Sequence, residues 1–388
     1  MRYKMFIIST MLTCILFSSL VFANSPAGTP EITVDARAAV LMEASTGKIL
    51  VEQNRSEKLA IASITKVMTL LLVYEAIDEG KIKWDDIVTV SDYAAGMGGS
   101  QIFLEPTERQ TVRDLTKSVI IASANDSAVA LAEFVAGSED AFVQLMNKRA
   151  ISLGMANTSF KNSCGLDADG QYSSAEDVAI MSRELINKFP EVLEVASIWM
   201  DSIVHKTARG EEVFGLNNTN RLIRSYQGAS GLKTGSTGSA LFCISAVAER
   251  DGMTLISVIL GGPTSEIRFH EASRLFDYGF ANYAVIEGES AGTPKGLVTV
   301  NKGAREQVGV SIKTQINGII PKGKNVELES RTELPERIDA PVLMGQKIGE
   351  IVYFANGSEV GRSDLIAMDD VPKAGLFDNL NTIFKRWF

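Results

Sequence analysis

Ser63-Ile64-Thr65-Lys66 places a hydroxyl and an amine three residues apart at the head of an apolar, helix-spaced stretch. Positions i and i+3 lie one above the other on a helix face, so the Lys66 amine can reach Ser63 Oγ. A serine hydroxyl becomes a nucleophile when a base takes its proton. Lysine serves as that base if burial and neighbouring cations lower its pKa. Backbone N–H groups at a helix start can also hold an oxyanion. S-x-x-K occurs three times, at Ser45–Lys48, Ser63–Lys66 and Ser230–Lys233. The first has Gly47 inside a turn and the third runs into a strand. Only Ser63 opens a helix.

Two further motifs follow in order. Ser123-Ala124-Asn125 lies between two helical stretches, among small residues. By itself it reads as a helix cap. In a catalytic setting Ser123 would relay a proton between lysine and leaving group, and the Asn125 amide would hold substrate backbone. Lys233-Thr234-Gly235 heads a strand-like run. Its lysine offers a cation and its threonine a hydroxyl to a carboxylate, while the glycine lets substrate approach the strand edge. Lys206-Thr207-Ala208 shows how readily a near miss arises. The conjunction of all three motifs in this order is the specific signal.

The elements that must hold these residues are legible in outline. Residues 38–43 and 48–52 read as a hairpin around Ala44-Ser45-Thr46-Gly47. Val67, Leu70, Leu71, Tyr74 and Ile77 form one helix stripe after Ser63. Helices are also expected at 111–121, at 139–153 behind the Ser138 cap, and from Ser174, whose spacing to Asp177 resembles a capping box. Strands follow at 240–248 and 254–261, then a helix at 265–278. Strands, a helical middle and strands again imply an α/β (α+β) domain over 30–284, with helices packed on one mixed sheet. Residues 286–294 read as a linker. Short runs at 297–300, 308–312, 325–329, 347–353 and 359–366 predict a small all-β domain over 295–370.

The ends of the chain carry a different message. Residues 1–23 have Arg2 and Lys4, a charge-free apolar run, and Val21-Phe22-Ala23, the pattern of a cleaved export signal. The run is long enough for an uncleaved anchor as the alternative. At 374–388, Leu376, Phe377, Leu380, Ile383, Phe384, Trp387 and Phe388 share one helix face, with Lys385 and Arg386 late on the other. Fifteen residues span only about 22 Å, so this amphipathic helix is expected to lie in a membrane interface. With 388 residues, 45% hydrophobic and 22% charged, the chain can bury a real core. Acidic residues exceed basic ones 47 to 38, which disfavours nucleic acid as a partner. Two histidines and three cysteines are too few for a Cys/His zinc site or a disulfide framework. His205 and His270 read as structural, and whether Cys164 pairs with Cys243 is left open.

The three motifs, with stretches such as residues 60–69 (AIASITKVMT), 165–185 and 231–247, resemble the low-molecular-mass penicillin-binding proteins that are serine-type D-alanyl-D-alanine carboxypeptidases (peptidase S11). The resemblance implies a penicillin-binding-protein-like catalytic domain, a small β-sandwich and an amphipathic tail. It implies Ser63 as the acylated nucleophile, Lys66 as proton acceptor, and Ser123 and Asn125 completing the centre. Lys233, Thr234 and Gly235 would bind substrate, the backbone N–H groups of Ser63 and Ser236 would form the oxyanion hole, and Arg268 would steer the terminal carboxylate. Some family members have histidine where this chain has Ser236, which leaves the backbone role intact. The implied partners are peptidoglycan stem peptides ending in D-Ala-D-Ala, β-lactam inhibitors and the outer face of the cytoplasmic membrane, with no metal or organic cofactor. A D,D-endopeptidase would share these residues, and a non-catalytic wall-binding protein would be expected to have lost one. A β-lactamase would need a glutamate beside a leucine–asparagine pair. The nearest, Glu184 before Leu185-Ile186-Asn187, has an extra residue and reads as solvated helix surface.

Overall fold

The computed structural model describes residues 32–207, 210–323 and 328–375. The export signal read at 1–23 and residues 376–388 of the amphipathic segment lie outside the described residues. The chain opens with the hairpin β1 (Ala38–Glu43) and β2 (Ile49–Gln53), then a 3-10 turn (Ala62–Thr65) leading into α1 (Lys66–Asp78). A helical region follows: β3 (Ile87–Thr89), α2 (Asp92–Ala95), β4 (Arg109–Thr111), α3 (Val112–Ile121), α4 (Asn125–Ala136), α5 (Glu139–Ser152), α6 (Ala175–Lys188) and α7 (Val192–Ala196). The hairpin β5 (Met200–Thr207) and β6 (Gly210–Asn217) and a short α8 (Leu222–Ser225) lead back to the sheet. There β7 (Ala229–Thr237), β8 (Leu241–Arg250), β9 (Met253–Gly262) and α9 (Ser265–Asn282) complete the domain.

Helix starts follow the sequence signals. Thr111, Ser138, Ser174 and Thr264 each accept a hydrogen bond from the backbone N–H three residues on. The sheet order is β2-β1-β9-β8-β7, and every neighbouring pair is antiparallel, so the sheet is not mixed in direction. Strands from the two ends of the domain meet at the β1–β9 pairing, which closes the helical middle into one unit. Both sheet faces are covered. Val40 and Met42 join the cluster that holds α1 and α6, whereas Gly279 of α9 lies against Leu41 and Leu255. Helix α1 departs from the single stripe expected of it: Val67, Met68, Leu70, Leu71, Val73 and Tyr74 are all buried. A helix apolar on most sides belongs in the middle of a core, and α1 carries Lys66 there.

The second region begins earlier than its composition suggests. Strand β10 (Tyr283–Glu287) follows α9 directly and occupies the front of the stretch read as a linker. It pairs with β13 (Asn317–Pro321), after β11 (Pro294–Asn301) and β12 (Gln307–Ile312). Strands β14 (Leu328–Glu333), β15 (Arg337–Asp339), β16 (Lys347–Ala355) and β17 (Ser358–Ala367) complete a six-stranded sheet ordered β14-β16-β17-β12-β11-β15. Val298, Val300, Val308, Val310 and Val371 fill one of its cores. The expected strand at 325–329 overlaps β14 at Leu328 and Glu329, and its residues 325–327 lie outside the described residues. Among the described residues no helix is long and apolar enough to cross a membrane.

Candidate active site

Ser63 sits in the 3-10 turn and Lys66 begins α1, so the motif straddles a turn and a helix where sequence spacing suggested a helix alone. The i,i+3 geometry survives because a 3-10 turn also stacks positions three apart. Lys66 Nζ lies 3.0 Å from Ser63 Oγ. It also lies 2.6 Å from Asn125 Oδ1 and 2.6 Å from the Cys164 carbonyl oxygen. The side chain is fully buried, and desolvation lowers its pKa to about 8, against weaker opposing pulls from Cys164 and Asp126. A lysine tuned in this way holds a useful fraction of free amine near neutral pH.

The backbone of the serine turn is clamped by two glycines. Ala62 has φ of 47°, a left-handed conformation at a non-glycine residue. A Cβ on Gly165 would meet the Ala62 carbonyl oxygen at 2.0 Å and Ser63 N at 2.9 Å. A Cβ on Gly235 would lie 2.9 Å from Ser63 N and from the Ile61 carbonyl oxygen. Strand β7 therefore runs directly against the turn at Gly235, the residue before Ser236. The K-T-G glycine is thus required by close backbone approach.

Ser123 lies in the bend between α3 and α4, buried, with φ of 61°. Its hydroxyl is not among the partners of Lys66, which are Ser63, Asn125 and the Cys164 carbonyl. Asn125 begins α4 and is engaged at both ends of its amide. It accepts from Lys66 and donates to the Gly98 carbonyl at 2.6 Å. Asn125 thus holds the lysine in addition to any part in the grip on substrate backbone that the sequence suggested.

On β7, Lys233 is fully buried and donates to the Thr234 carbonyl at 3.0 Å. Desolvation, then Lys66 and Arg268, pull its pKa well below the usual lysine range. Two buried lysine amines and the Arg268 guanidinium therefore crowd one strand, and an anionic group placed among them would favour their charged forms. Arg268 begins the second turn of α9 and donates to the Gly235 and Cys243 carbonyls at 3.0 and 3.3 Å. Its guanidinium lies 4.8 Å over the Phe269 ring, and its Nε has no partner among the described residues. Arg268 therefore braces β7 and β8 from behind Gly235.

Several contributors carry no sequence signal. Thr219 Oγ1 lies 2.6 Å from Thr234 Oγ1 and fixes that hydroxyl. The Cys164 carbonyl is a backbone atom, and its thiol is free and buried, as is Cys243, so the two do not pair. His205 Nδ1 lies 2.7 Å from Glu108 Oε1 in a buried pair, and His270 is exposed beside Glu271. Glu184 is bound by Arg149 at 2.6 Å, in a cluster with Glu75. Among the described residues no group of three or more His, Cys, Asp or Glu could hold a metal.

Residues 23–264 match the D-alanyl-D-alanine carboxypeptidase family of peptidase S11, and residues 288–373 match the C-terminal domain of penicillin-binding protein 5. The chain is 39% identical over 386 residues to the D-alanyl-D-alanine carboxypeptidase DacF of Bacillus subtilis, covering 98% of each chain. It is 37% identical to the D-alanyl-D-alanine carboxypeptidase DacC of Escherichia coli, covering 92% of this chain and 90% of the other. Penicillin-binding protein 5 of Haemophilus influenzae superposes with a TM-score of 0.76 at 34% identity, covering 89% of this chain and all of that one. Penicillin-binding protein D2 of Listeria monocytogenes, in its ampicillin-bound form, superposes with a TM-score of 0.55 at 35% identity, covering 65% of this chain and all of that one.

Proposed function

The chain belongs to the serine D-alanyl-D-alanine carboxypeptidase family, a penicillin-binding lineage, and we propose that Ser63 is the nucleophile through which it removes the terminal D-alanine of peptidoglycan stem peptides. One observation supports this above the rest: a fully buried lysine amine, 3.0 Å from a serine hydroxyl, on a strained and glycine-clamped turn. The neutral Lys66 amine takes the Ser63 proton as Oγ attacks the penultimate D-Ala carbonyl. The oxyanion forms between the N–H groups of Ser63 and Ser236, a reading supported by the packing of Gly235 against Ser63 N. The C–N bond then breaks, and the proton held by Lys66 passes to the departing amine, with the buried Ser123 hydroxyl as relay. Water hydrolyses the ester and returns Ser63. Lys233, Thr234 and Arg268 supply the positive field for the terminal carboxylate. A β-lactam amide enters the same reaction and stalls as the acyl-enzyme.

The same reading places the enzyme outside the cytoplasm, exported by residues 1–23 and held peripherally by an amphipathic segment at 374–388. Deleting residues 375–388 is expected to release the exported protein from membranes with turnover intact. Continued sedimentation of that truncated protein would contradict the anchor. Activity itself is tested by incubating the protein with a diacetylated tripeptide ending in D-Ala-D-Ala and following free D-alanine. Release from the normal protein and none from Ser63→Ala is the expected result, and equal release from both would contradict it.

A further inference from the structure

Lys66 does not choose its own partners. Two of its three acceptors reach it from other parts of the chain, Asn125 Oδ1 at the start of α4 and the Cys164 carbonyl in the loop after α5. Each acceptor is oriented through a loop, 98–104 for the Asn125 amide and the loop after α5 for the Cys164 carbonyl, and each loop is tied to a buried carboxylate that the reaction itself does not use.

The first tie is Asp126. Its fully buried carboxylate accepts from the backbone N–H groups of Ile102 and Leu104, at 3.1 Å each, and of Ser127 at 2.8 Å. Those bonds pin the loop 98–104 against α4. The same loop accepts from Asn125 twice, through Gly98 O to the side-chain amide and through Ser100 O to the backbone N–H. A Cβ on Gly99 would stand 2.8 Å from Asn125 Nδ2, so the fit tolerates no displacement. The amide thus has one orientation, with its oxygen towards Lys66.

The second tie is Glu139, the first residue of α5. One carboxylate oxygen accepts from Ser163 N at 2.8 Å and Ser163 Oγ at 2.6 Å. The other accepts from the Tyr93 hydroxyl on α2 at 2.8 Å. Thr69 of α1 donates to the Ser163 carbonyl at 2.5 Å, so Ser163 is held from three sides and the Cys164 carbonyl is aimed at Lys66.

We propose that Asp126 and Glu139 are positioning residues for Lys66: Asp126 locks the 98–104 loop that orients the Asn125 amide, and Glu139 locks the loop that carries the Cys164 carbonyl. The proposal rests on Lys66 being the base, and it assigns the two residues different electrostatic parts. The ionisable groups facing Lys66 are Asp126 from α4, Cys164 from its loop and Lys233 from β7. Asp126 favours the ammonium form, so its removal makes the lysine a weaker base that loses its proton at lower pH. Glu139 faces Tyr93 and Cys164 and acts through the position of the carbonyl alone.

The test is the acylation rate of the full chain by a fluorescent penicillin between pH 5.5 and 10, scaled to the number of sites labelled at completion so that unfolded molecules do not count. Asp126→Asn should lower the alkaline plateau about tenfold and move the rising limb to lower pH by about half a unit. Glu139→Ala should lower the plateau about tenfold with the limb in place, and Glu139→Gln, whose amide oxygen still accepts from Ser163 N, should recover most of that loss. A wild-type plateau and limb in Asp126→Asn, or a wild-type plateau in Glu139→Ala, would overturn the proposal. So would equal losses in the alanine and glutamine variants at position 139. Absence of labelling in the unmodified protein would instead overturn the assignment of the base, and this proposal with it.

Discussion

The catalytic region buries its charges and the β-domain exposes them. Around the serine turn Lys66, Lys233, Asp126 and Arg268 are all withdrawn from water, and Ala62 and Ser123 hold left-handed backbone. From Tyr283 to Gly375 no charged side chain is buried among the described residues; only Ser311 and Ser363 are buried polar groups. Its charges form surface ladders, such as Lys347 with Glu350 and Asp364, and Arg362 with Glu350 and Glu359. Buried charge is costly and persists only where surrounding structure fixes it, whereas exposed pairs contribute little. The contrast separates a region shaped for chemistry from one shaped for folding and solubility, and it can be attacked from both sides.

The largest effect is expected where a buried charge is removed from the reaction. Lys66→Ala should slow acylation by a penicillin about a thousandfold, measured as the second-order rate of label incorporation. A loss below tenfold would mean that another group is the base. Next comes the backbone clamp. Gly165→Ala puts a methyl 2.0 Å from the Ala62 carbonyl at a residue whose φ is 89°. The turn must move, with acylation falling about a hundredfold and stability by about 3 kcal/mol. Normal acylation together with a normal denaturation midpoint would show that the clamp is not tight.

The pH dependence is smaller and more diagnostic. Burial lowers the Lys66 pKa to about 8, and the free amine is the form proposed to take the Ser63 proton. Acylation should therefore rise about tenfold per pH unit below that value and level off above it. A limb near the ordinary lysine pKa, or a flat profile, would contradict a buried base. On the other side of the comparison, Arg362→Ala breaks the exposed ladder and should leave both turnover and the thermal midpoint unchanged within error. A clear drop in turnover would show that the β-domain bears on the site.

The three motifs were legible because each is short, and a turn, a bend and a strand place their own residues without help from distant chain; the K-T-G, expected at a strand head, lies in the middle of β7, which starts at Ala229. The hairpin, the capped helices and the strands after Gly231 were legible for the same reason, since caps and periodicity are local. What escaped notice is what the fold assembles from afar. The Cys164 carbonyl lies 98 residues from the amine it meets, and no side-chain pattern marks a backbone oxygen. Thr219 pairs with Thr234 only because β7 returns beside it. The link of Asn125 to Gly98 likewise cannot be seen in spacing. Strand β10 ends in the stretch that reads as a linker, and its partner, β13, comes about thirty residues later, so the pairing has no local signal.

The central claim is that one serine among several carries the covalent chemistry. Stoichiometric labelling with a penicillin, followed by digestion and mass mapping of the adduct, tests it directly. The account predicts a single adduct on Ser63, lost in Ser63→Ala. An adduct on Ser45 or Ser123, or stoichiometric labelling that survives Ser63→Ala, would contradict it.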